Sequence, residues 1–318
     1  MNLQSPHKPL YLLQLEALLN RLPDHNRSEK LESTYRRQLA GFIGESSLPF
    51  HFENLNTNAS HLELYGLRLP YKHHFFQIDC LSLWQHILFH FEVKHLKGKL
   101  DFNQSGQLIQ INENGQEEVY DDPILQAQYQ KQKLQQFLQQ HGFPHIPIKT
   151  LILFTHPKAN LQFDHPMALP IQQFSHSIQQ VLETSSSPHI KRPQLFEIGY
   201  FLKNQHTERF VDVIEQSGIS KRKIKRGVYC QHCRHVKMVR IYGTWQCPAC
   251  KRKDKYAHIP ALRECVLLFG PYLTNRQVRY FLEIESIHLA TRLLKQFNTP
   301  AFGWKKDRVY DFRHLLES

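Results

Sequence analysis

Two short segments, Gln77-Ile78-Asp79 and Phe91-Glu92-Val93-Lys94, limit what this chain can fold into more than any other feature. Alternation along an extended chain puts Glu92 and Lys94 on one face and the apolar Phe91 and Val93 on the other. Two neighbouring strands would then bury the apolar pair and gather Asp79, Glu92 and Lys94 in one place. Two carboxylates beside an ammonium are what a hard divalent cation and a phosphodiester need. The oxygens hold the metal, and the Lys steadies a nucleophile or developing negative charge. The pattern points to phosphodiester cleavage on a strand-rich scaffold.

The surrounding sequence supplies that scaffold. Residues 61–69, 75–83 and 86–94 read as strands, the last two antiparallel around a turn at 84–86. Turn signals at Asn103–Gly106 and Asn112–Gly115 mark further short strands, and Ile148–Phe154 has the length and apolarity of a buried central strand. Two helices are expected between residues 9 and 48, separated by Pro23; the second carries Leu31, Tyr35, Leu39, Phe42 and Ile43 at helical spacing. Gly41 and Gly44 within that helix imply close approach by a neighbour. Asp121-Asp122-Pro123 opens another helix, through Gln126, Tyr129, Gln130, Leu134 and Leu138 to Gly142. Residues 156–206 carry no motif; helical segments are expected on either side of a loop at Ser185–Ser187. An α/β core follows for residues 36–160.

The order of four pieces resembles the NERD (nuclease-related domain) family, within the restriction-endonuclease-like superfamily and its PD-(D/E)xK signature. The pieces are Gly41-Phe42-Ile43-Gly44-Glu45, Gln77-Ile78-Asp79, Phe91-Glu92-Val93-Lys94 and Asp122-Pro123-Ile124-Leu125-Gln126, across residues 36–155. The sequence departs from the family at Trp84-Gln85-His86, where the turn before the Glu strand usually carries Gly. The resemblance implies Mg²⁺ or Mn²⁺ held by Asp79 and Glu92, with Glu45 as a further carboxylate. It also implies that Lys94 orients or deprotonates water, or stabilises the transition state, and that Gln126 positions Lys94 or a phosphate. His73, His74 and His90 lie near these residues in sequence, with His90 on the Glu92 face.

The net charge of +12 is concentrated. Residues 221–255 hold twelve Lys and Arg against one acid, whereas the remaining 28 basic and 27 acidic residues nearly cancel. Such a block is an electrostatic footprint for a polyanion. Within it, Cys230-x-x-Cys233 and Cys247-x-x-Cys250 can present four thiolates tetrahedrally to Zn²⁺, at about 2.3 Å each. Val236, Met238, Val239, Ile241, Tyr242 and Trp245 alternate around Gly243, a zinc-ribbon pattern. A redox dithiol is the competing reading, but two paired motifs favour a structural metal with every position filled. Cys80 and Cys265 sit in apolar runs and read as buried free thiols. Lys221, Arg222, Lys223, Lys225 and Arg226 precede the ribbon and Lys251, Arg252 and Lys253 follow it, suited to track phosphates without reading sequence.

Beyond the ribbon, Ile259–Phe269 reads as a helix stopped by Gly270-Pro271, and Thr274-x-x-Gln277 as the capping box of a second ending near Leu282. Ser286 caps a third, with Ile287, Ala290, Leu294 and Phe297 expected inside. His288, Thr291, Arg292 and Lys295 line its other side, as on a groove-facing recognition helix. Phe302–Phe312 reads as a hairpin with a basic tip, Lys305-Lys306-Asp307-Arg308.

The expected fold class is therefore α/β, a restriction-endonuclease-like mixed sheet flanked by helices, then a zinc ribbon and a winged-helix-like domain. The expected segments are a helical lead (1–35), the nuclease-related domain (36–206), a basic helical linker (207–226), the ribbon (227–257) and the winged helix (258–318). The leading functional reading is a metal-dependent nuclease acting on DNA, since helix-turn-helix modules insert into the B-form major groove. A non-catalytic DNA-binding or regulatory protein and a zinc-dependent interaction scaffold are the alternatives; a protein partner or activator is left unidentified. No window approaches the roughly 18–20 apolar residues that span a bilayer. Tyr11–Leu19 is interrupted by Gln14 and Glu16 and lacks a cleavage pattern, so the expected location is cytoplasmic, without signal peptide or membrane.

Overall fold

In the computed structural model the chain begins with β1 (Asn2–Gln4), α1 (Leu10–Arg21), α2 (Glu29–Ser46) and α3 (Leu48–Glu53), then β2 (Leu62–Tyr71), β3 (His74–Leu83) and β4 (Leu88–Lys94). There follow β5 (Gly98–Phe102), β6 (Leu108–Ile111), β7 (Glu117–Tyr120), α4 (Pro123–Gln140), β8 (Ile148–Phe154), β9 (Ala159–Leu161), β10 (Ala168–Pro170), α5 (Phe174–Thr184) and α6 (Arg192–Gln205). Then come α7 (Val213–Gln216), β11 (Val239–Ile241), β12 (Thr244–Gln246), β13 (Lys253–Asp254) and α8 (His258–Phe269). The chain closes with β14 (Tyr272–Thr274), α9 (Asn275–Leu282), α10 (Ile287–Lys295), β15 (Ala301–Phe302) and β16 (Val309–Asp311). The structure describes residues 1–57, 59–184, 188–304 and 307–316; the expected loop at Ser185–Ser187 and the Lys305-Lys306 part of the expected basic tip lie outside them. No described helix is long and apolar enough to cross a membrane.

Two units form, Met1–His7 with Arg37–Glu208, and Lys8–Arg36 with Arg209–Ser318. In the first, a six-stranded sheet has the order β1-β2-β3-β4-β8-β10. β2, β3 and β4 are antiparallel neighbours, whereas β8 runs parallel to β4. Leu134, Phe137 and Leu138 of α4 and Leu195, Ile198 and Leu202 of α6 share one apolar cluster with the sheet; Leu48 and Phe52 of α3 and Phe174 and Ile178 of α5 share another with Phe89, Phe91 and Val93. A second sheet, β7-β6-β5-β9, carries the two Asn-Gly turns. α4 starts where its sequence demands: the Asp122 carboxylate accepts the N–H groups of Ile124 (2.7 Å) and Leu125 (3.3 Å), and Pro123 supplies no donor that would need a partner.

Alternation fails at one place. Leu64 and Leu67 of β2, and Ile78 and Leu81 of β3, each lie three residues apart yet join the same apolar cluster. The break falls where Gly66, at φ +62°, stands opposite Asp79, between the pairs Tyr65↔Cys80 and Leu67↔Ile78. An added Cβ at Gly66 would touch nothing within 4 Å, so the backbone conformation, not space, requires glycine there. Gly66→Ala should lower stability by about 1–2 kcal/mol, the strain of a left-handed residue. A urea titration measures this; an unchanged midpoint would show that the break tolerates a side chain.

In the second unit α1 supplies Leu10, Leu15 and Leu18 to a core shared with Leu262 and Val266 of α8, Phe281 of α9, Leu294 of α10, Phe312, and Cys230, Met238, Trp245 and Cys247. Two buried polar side chains of α1 are satisfied within it. Gln14 donates to the Val211 and Leu267 carbonyls (2.7 and 2.9 Å), and Arg21 pairs with Glu264 (2.6 Å) and donates to the Gly227 carbonyl (2.7 Å). α9 begins with the Thr274/Gln277 capping box, and Ser286 caps α10. From α8 onward the order is helix, strand, helix, helix, strand, strand, with β16 central in the sheet β14-β16-β15. One expectation for α10 fails: Ile287 is 57% exposed, and Leu293 joins Ala290 and Leu294 inside. Ile287 is the first helical residue, and the buried stripe begins only one turn later.

Candidate active site and metal-binding cysteines

The β3–β4 ladder runs from Leu83↔Leu88 to Cys80↔Phe91, while β4 continues beside β8 as far as Lys94↔Phe154. Where the ladder ends, the side chain of Asp79 takes over, its Oδ2 accepting the Val93 N–H at 2.8 Å. Glu92 is 2% exposed. Lys94 Nζ donates to Glu92 Oε1 at 2.7 Å and to Gln126 Oε1 of α4 at 3.0 Å. The second oxygen of Glu92, Oε2, is buried with no hydrogen-bond partner among the described residues. Glu45 arrives from α2 beside Gly44, where a Cβ would stand 2.8 Å from Thr155 Oγ1 and 2.9 Å from His95 Cβ. Only glycine allows the helix so close to the strands.

The carboxyls crowd one another. Burial raises Asp79 above the usual carboxylate range and the charge of Glu92 adds to it, against the Val93 N–H and Lys94, which pull it down. Glu45 is raised by burial, then by Asp79 and Glu92. An orphaned buried oxygen and two carboxyls that hold protons in the absence of a cation fit a divalent-metal site. Glu45, Asp79 and Glu92 do not each bring an oxygen to within 4.8 Å of the other two. Asp79 and Glu92, joined to β4 through the Val93 N–H and Lys94, are the direct ligand candidates.

A pH dependence follows. Both raised groups bind protons more tightly folded than unfolded, so their contribution is fully present below about pH 4 and is lost as pH rises through their raised values. A divalent cation bound there would displace those protons and offset the loss. The melting-temperature gain on adding the cation should therefore grow with pH; a gain flat across pH 5 to 8, roughly the range in which such carboxyls titrate, would show that they do not bind it.

The sequence-neighbouring histidines divide. His90 is buried, pairs through Nδ1 with Thr150 Oγ1 (3.3 Å) and is pushed down to about 4 by burial, so it stays neutral. His73 and His74 are exposed at the β2–β3 turn. Nothing in the sequence signals a third group, His7, His206 and Glu208, whose ligand atoms lie mutually within 4.8 Å. There the Arg68 N–H donates to His206 Nδ1 (3.1 Å), which places the imidazole proton on Nε2, facing Glu208 Oε1 at 3.5 Å. The cluster pairs His7 Nε2 with Glu208 Oε1 at 2.9 Å and leaves His206 Nε2 buried without a hydrogen-bond partner among the described residues.

Cys230, Cys233, Cys247 and Cys250 bring their sulfurs mutually within 4.8 Å, with Cys230–Cys250 at 3.8 Å and Cys233–Cys247 at 3.9 Å. Four Zn–S bonds of about 2.3 Å require tetrahedral edges of roughly 3.8 Å. The two knuckles repeat one geometry: Arg234 N–H donates to the Cys230 carbonyl and Lys251 N–H to the Cys247 carbonyl, with Arg234 and Lys251 both left-handed. The hydrogen bond with Cys250 raises the Cys233 thiol to about 12. The cluster is compatible with zinc. Cys80 and Cys265 are buried and unpaired by disulfide.

The basic residues are disposed around this cluster and α10. Lys221, Arg222 and Lys223 are exposed in a 3-10 turn, and Lys251, Arg252 and Lys253 are exposed after the second knuckle. Lys225 is half-buried, and Arg226 stacks on Tyr280 (4.3 Å). His288, Arg292 and Lys295 are exposed on α10, and Arg308 lies over Tyr310 (5.8 Å).

A mixed sheet flanked by helices, with clustered carboxyls and a Lys at one strand end, defines an α/β protein with a nuclease-like fold. Residues 40–155 match the family model described as NERD, Nuclease-related domain. The match includes Glu45, Asp79, Glu92, Lys94 and Gln126. No curated protein and no solved structure matches the chain.

Proposed function

We propose that this protein is a divalent-metal-dependent nuclease that hydrolyses DNA phosphodiester bonds. The observation that carries the reading is Lys94, fixed by Glu92 and Gln126 beside the orphaned Glu92 oxygen and the desolvated Asp79 carboxyl. Asp79 and Glu92 would hold Mg²⁺ or Mn²⁺. Bound there, the cation would polarise the phosphoryl oxygen and acidify water. The Val93 N–H holds the Asp79 carboxylate in one orientation, and Gln126 keeps Lys94 from swinging away. Lys94 uses two of its three N–H bonds on these partners and keeps one for a water or a phosphoryl oxygen. Glu45, whose carboxyl feels the charges of Asp79 and Glu92, would supply a further carboxylate.

The second unit would bind the nucleic acid. Its element order and β14-β16-β15 sheet support a winged helix with α10 as recognition helix, and the four cysteines support a structural Zn²⁺ ribbon. DNA is favoured because such a helix fits the B-form major groove. The setting proposed is the cytoplasm, where the cysteines stay reduced. A non-catalytic DNA-binding role is favoured by one observation, the failure of the three carboxyls to converge as a set. Supercoiled, linear and single-stranded DNA with Mg²⁺, Mn²⁺ or EDTA separate the two readings. Metal-dependent products on any substrate support the nuclease, whereas binding without products on all of them supports the second reading.

A further inference from the structure

We propose that the cleft between the β11–β12 hairpin and α10 is a phosphate-binding subsite, in which Arg240, Lys255 and Arg292 hold one backbone phosphate of a bound nucleic acid. The inference rests on the reading of α10 as a nucleic-acid-facing helix and adds Arg240 and Lys255 to it. The cleft, of about 520 Å³, draws on parts of the chain far apart in sequence: Arg240 to Gly243 from the hairpin, Lys255 after β13, and Ser286, Leu289, Arg292, Leu293 and Gln296 from α10. Among the described residues its lining holds three cationic side chains and no carboxylate. The acids nearest in sequence are Asp254, whose Oδ1 accepts the Tyr256 N–H (2.7 Å), and Glu285, neither of which lines it.

Arg240 is the most telling of these groups. Its guanidinium lies over the Trp245 ring at 5.1 Å, and its Nη1 is buried without an acceptor among the described residues. Burial, and then the charge of Arg292, lower its affinity for its proton, but an arginine so placed remains charged. Like charges held together with unfilled donors are stabilised when an anion enters. A phosphate suits the set, because a planar guanidinium meets its oxygens two at a time. Ser286 caps α10, so the positive end of that helix dipole also faces the cleft. Tyr242, fully exposed at the hairpin tip, offers a ring on which a neighbouring base could stack.

The phosphate could come from a nucleic-acid backbone or from a free phosphoanion, and one experiment separates the sources. Zinc-loaded full-length protein, Arg240→Gln, Arg292→Gln and the control Lys30→Gln are titrated with labelled duplex DNA over a series of salt concentrations, and separately with pyrophosphate. Each cleft variant should bind DNA on the order of tenfold more weakly, with the log–log salt slope reduced by about 1, more than in the control. Pyrophosphate should compete with DNA for the wild type and lose that ability in the cleft variants. If all variants keep the wild-type slope while DNA still binds, the subsite is wrong and the DNA-binding reading stands. Pyrophosphate binding that needs Arg240, with no DNA binding by the wild type, would overturn the nucleic-acid assignment and that reading together. Zinc content confirms that the ribbon is folded, and Lys255→Gln replaces Arg240→Gln if the latter loses metal.

Discussion

Glu92→Gln is expected to reduce metal-dependent DNA cleavage by at least about 10²-fold while leaving the fold intact. The substitution keeps the side chain's volume and an oxygen for Lys94, but removes the negative charge from the centre of the site. Glu92 is 2% exposed, the partner of Lys94, and a source of the field that raises Asp79 and Glu45. Its loss should therefore also abolish the cation-induced rise in melting temperature, which a merely structural Glu92 would not do. Lys94→Met should behave differently, lowering cleavage while the cation still raises the melting temperature, because the carboxylates remain. Wild-type rates in purified Glu92→Gln would place the chemistry elsewhere.

Stripping zinc, or replacing Cys247 by Ser, should unfold the ribbon and abolish DNA binding. A structural zinc contributes about 10–16 kcal/mol of apparent binding free energy in small zinc modules, comparable with or above the 5–15 kcal/mol that holds a typical domain together. Here Cys230, Met238, Trp245 and Cys247 belong to the same apolar core as α1, α8, α9 and α10, so the loss should loosen that whole unit. Chelation should open trypsin sites between Lys221 and Lys255, and metal analysis should find one zinc per chain. A Cys247→Ser protein that kept protease resistance and DNA affinity would favour the redox-dithiol reading over a structural metal.

Much of the local structure was legible in the sequence because its causes lie within a few residues. Asp122 followed by Pro123 starts a helix wherever it occurs, and Thr274 with Gln277 closes its own capping box. The three long strands announce themselves by length and apolar content, and the Asn-Gly turns by the left-handed conformation they need. β9 and β10 have no signature in the sequence, because three residues at a sheet edge carry no periodicity. Helical spacing puts Ile287 on the inner side, but spacing does not say where a buried stripe begins.

Alternation alone put Glu92 and Lys94 on one face, and cysteine spacing alone brought out a four-sulfur cluster, because both follow from backbone geometry over short distances. Tertiary structure decided the rest. It replaced a ladder hydrogen bond by the Asp79 carboxylate, set Gln126 against Lys94 across 32 residues, and brought Arg292 beside Arg240. It also put α1 into a core with helices more than 200 residues later. Such contacts depend on which apolar faces find each other, a choice made by burial over the whole chain and encoded in no local pattern.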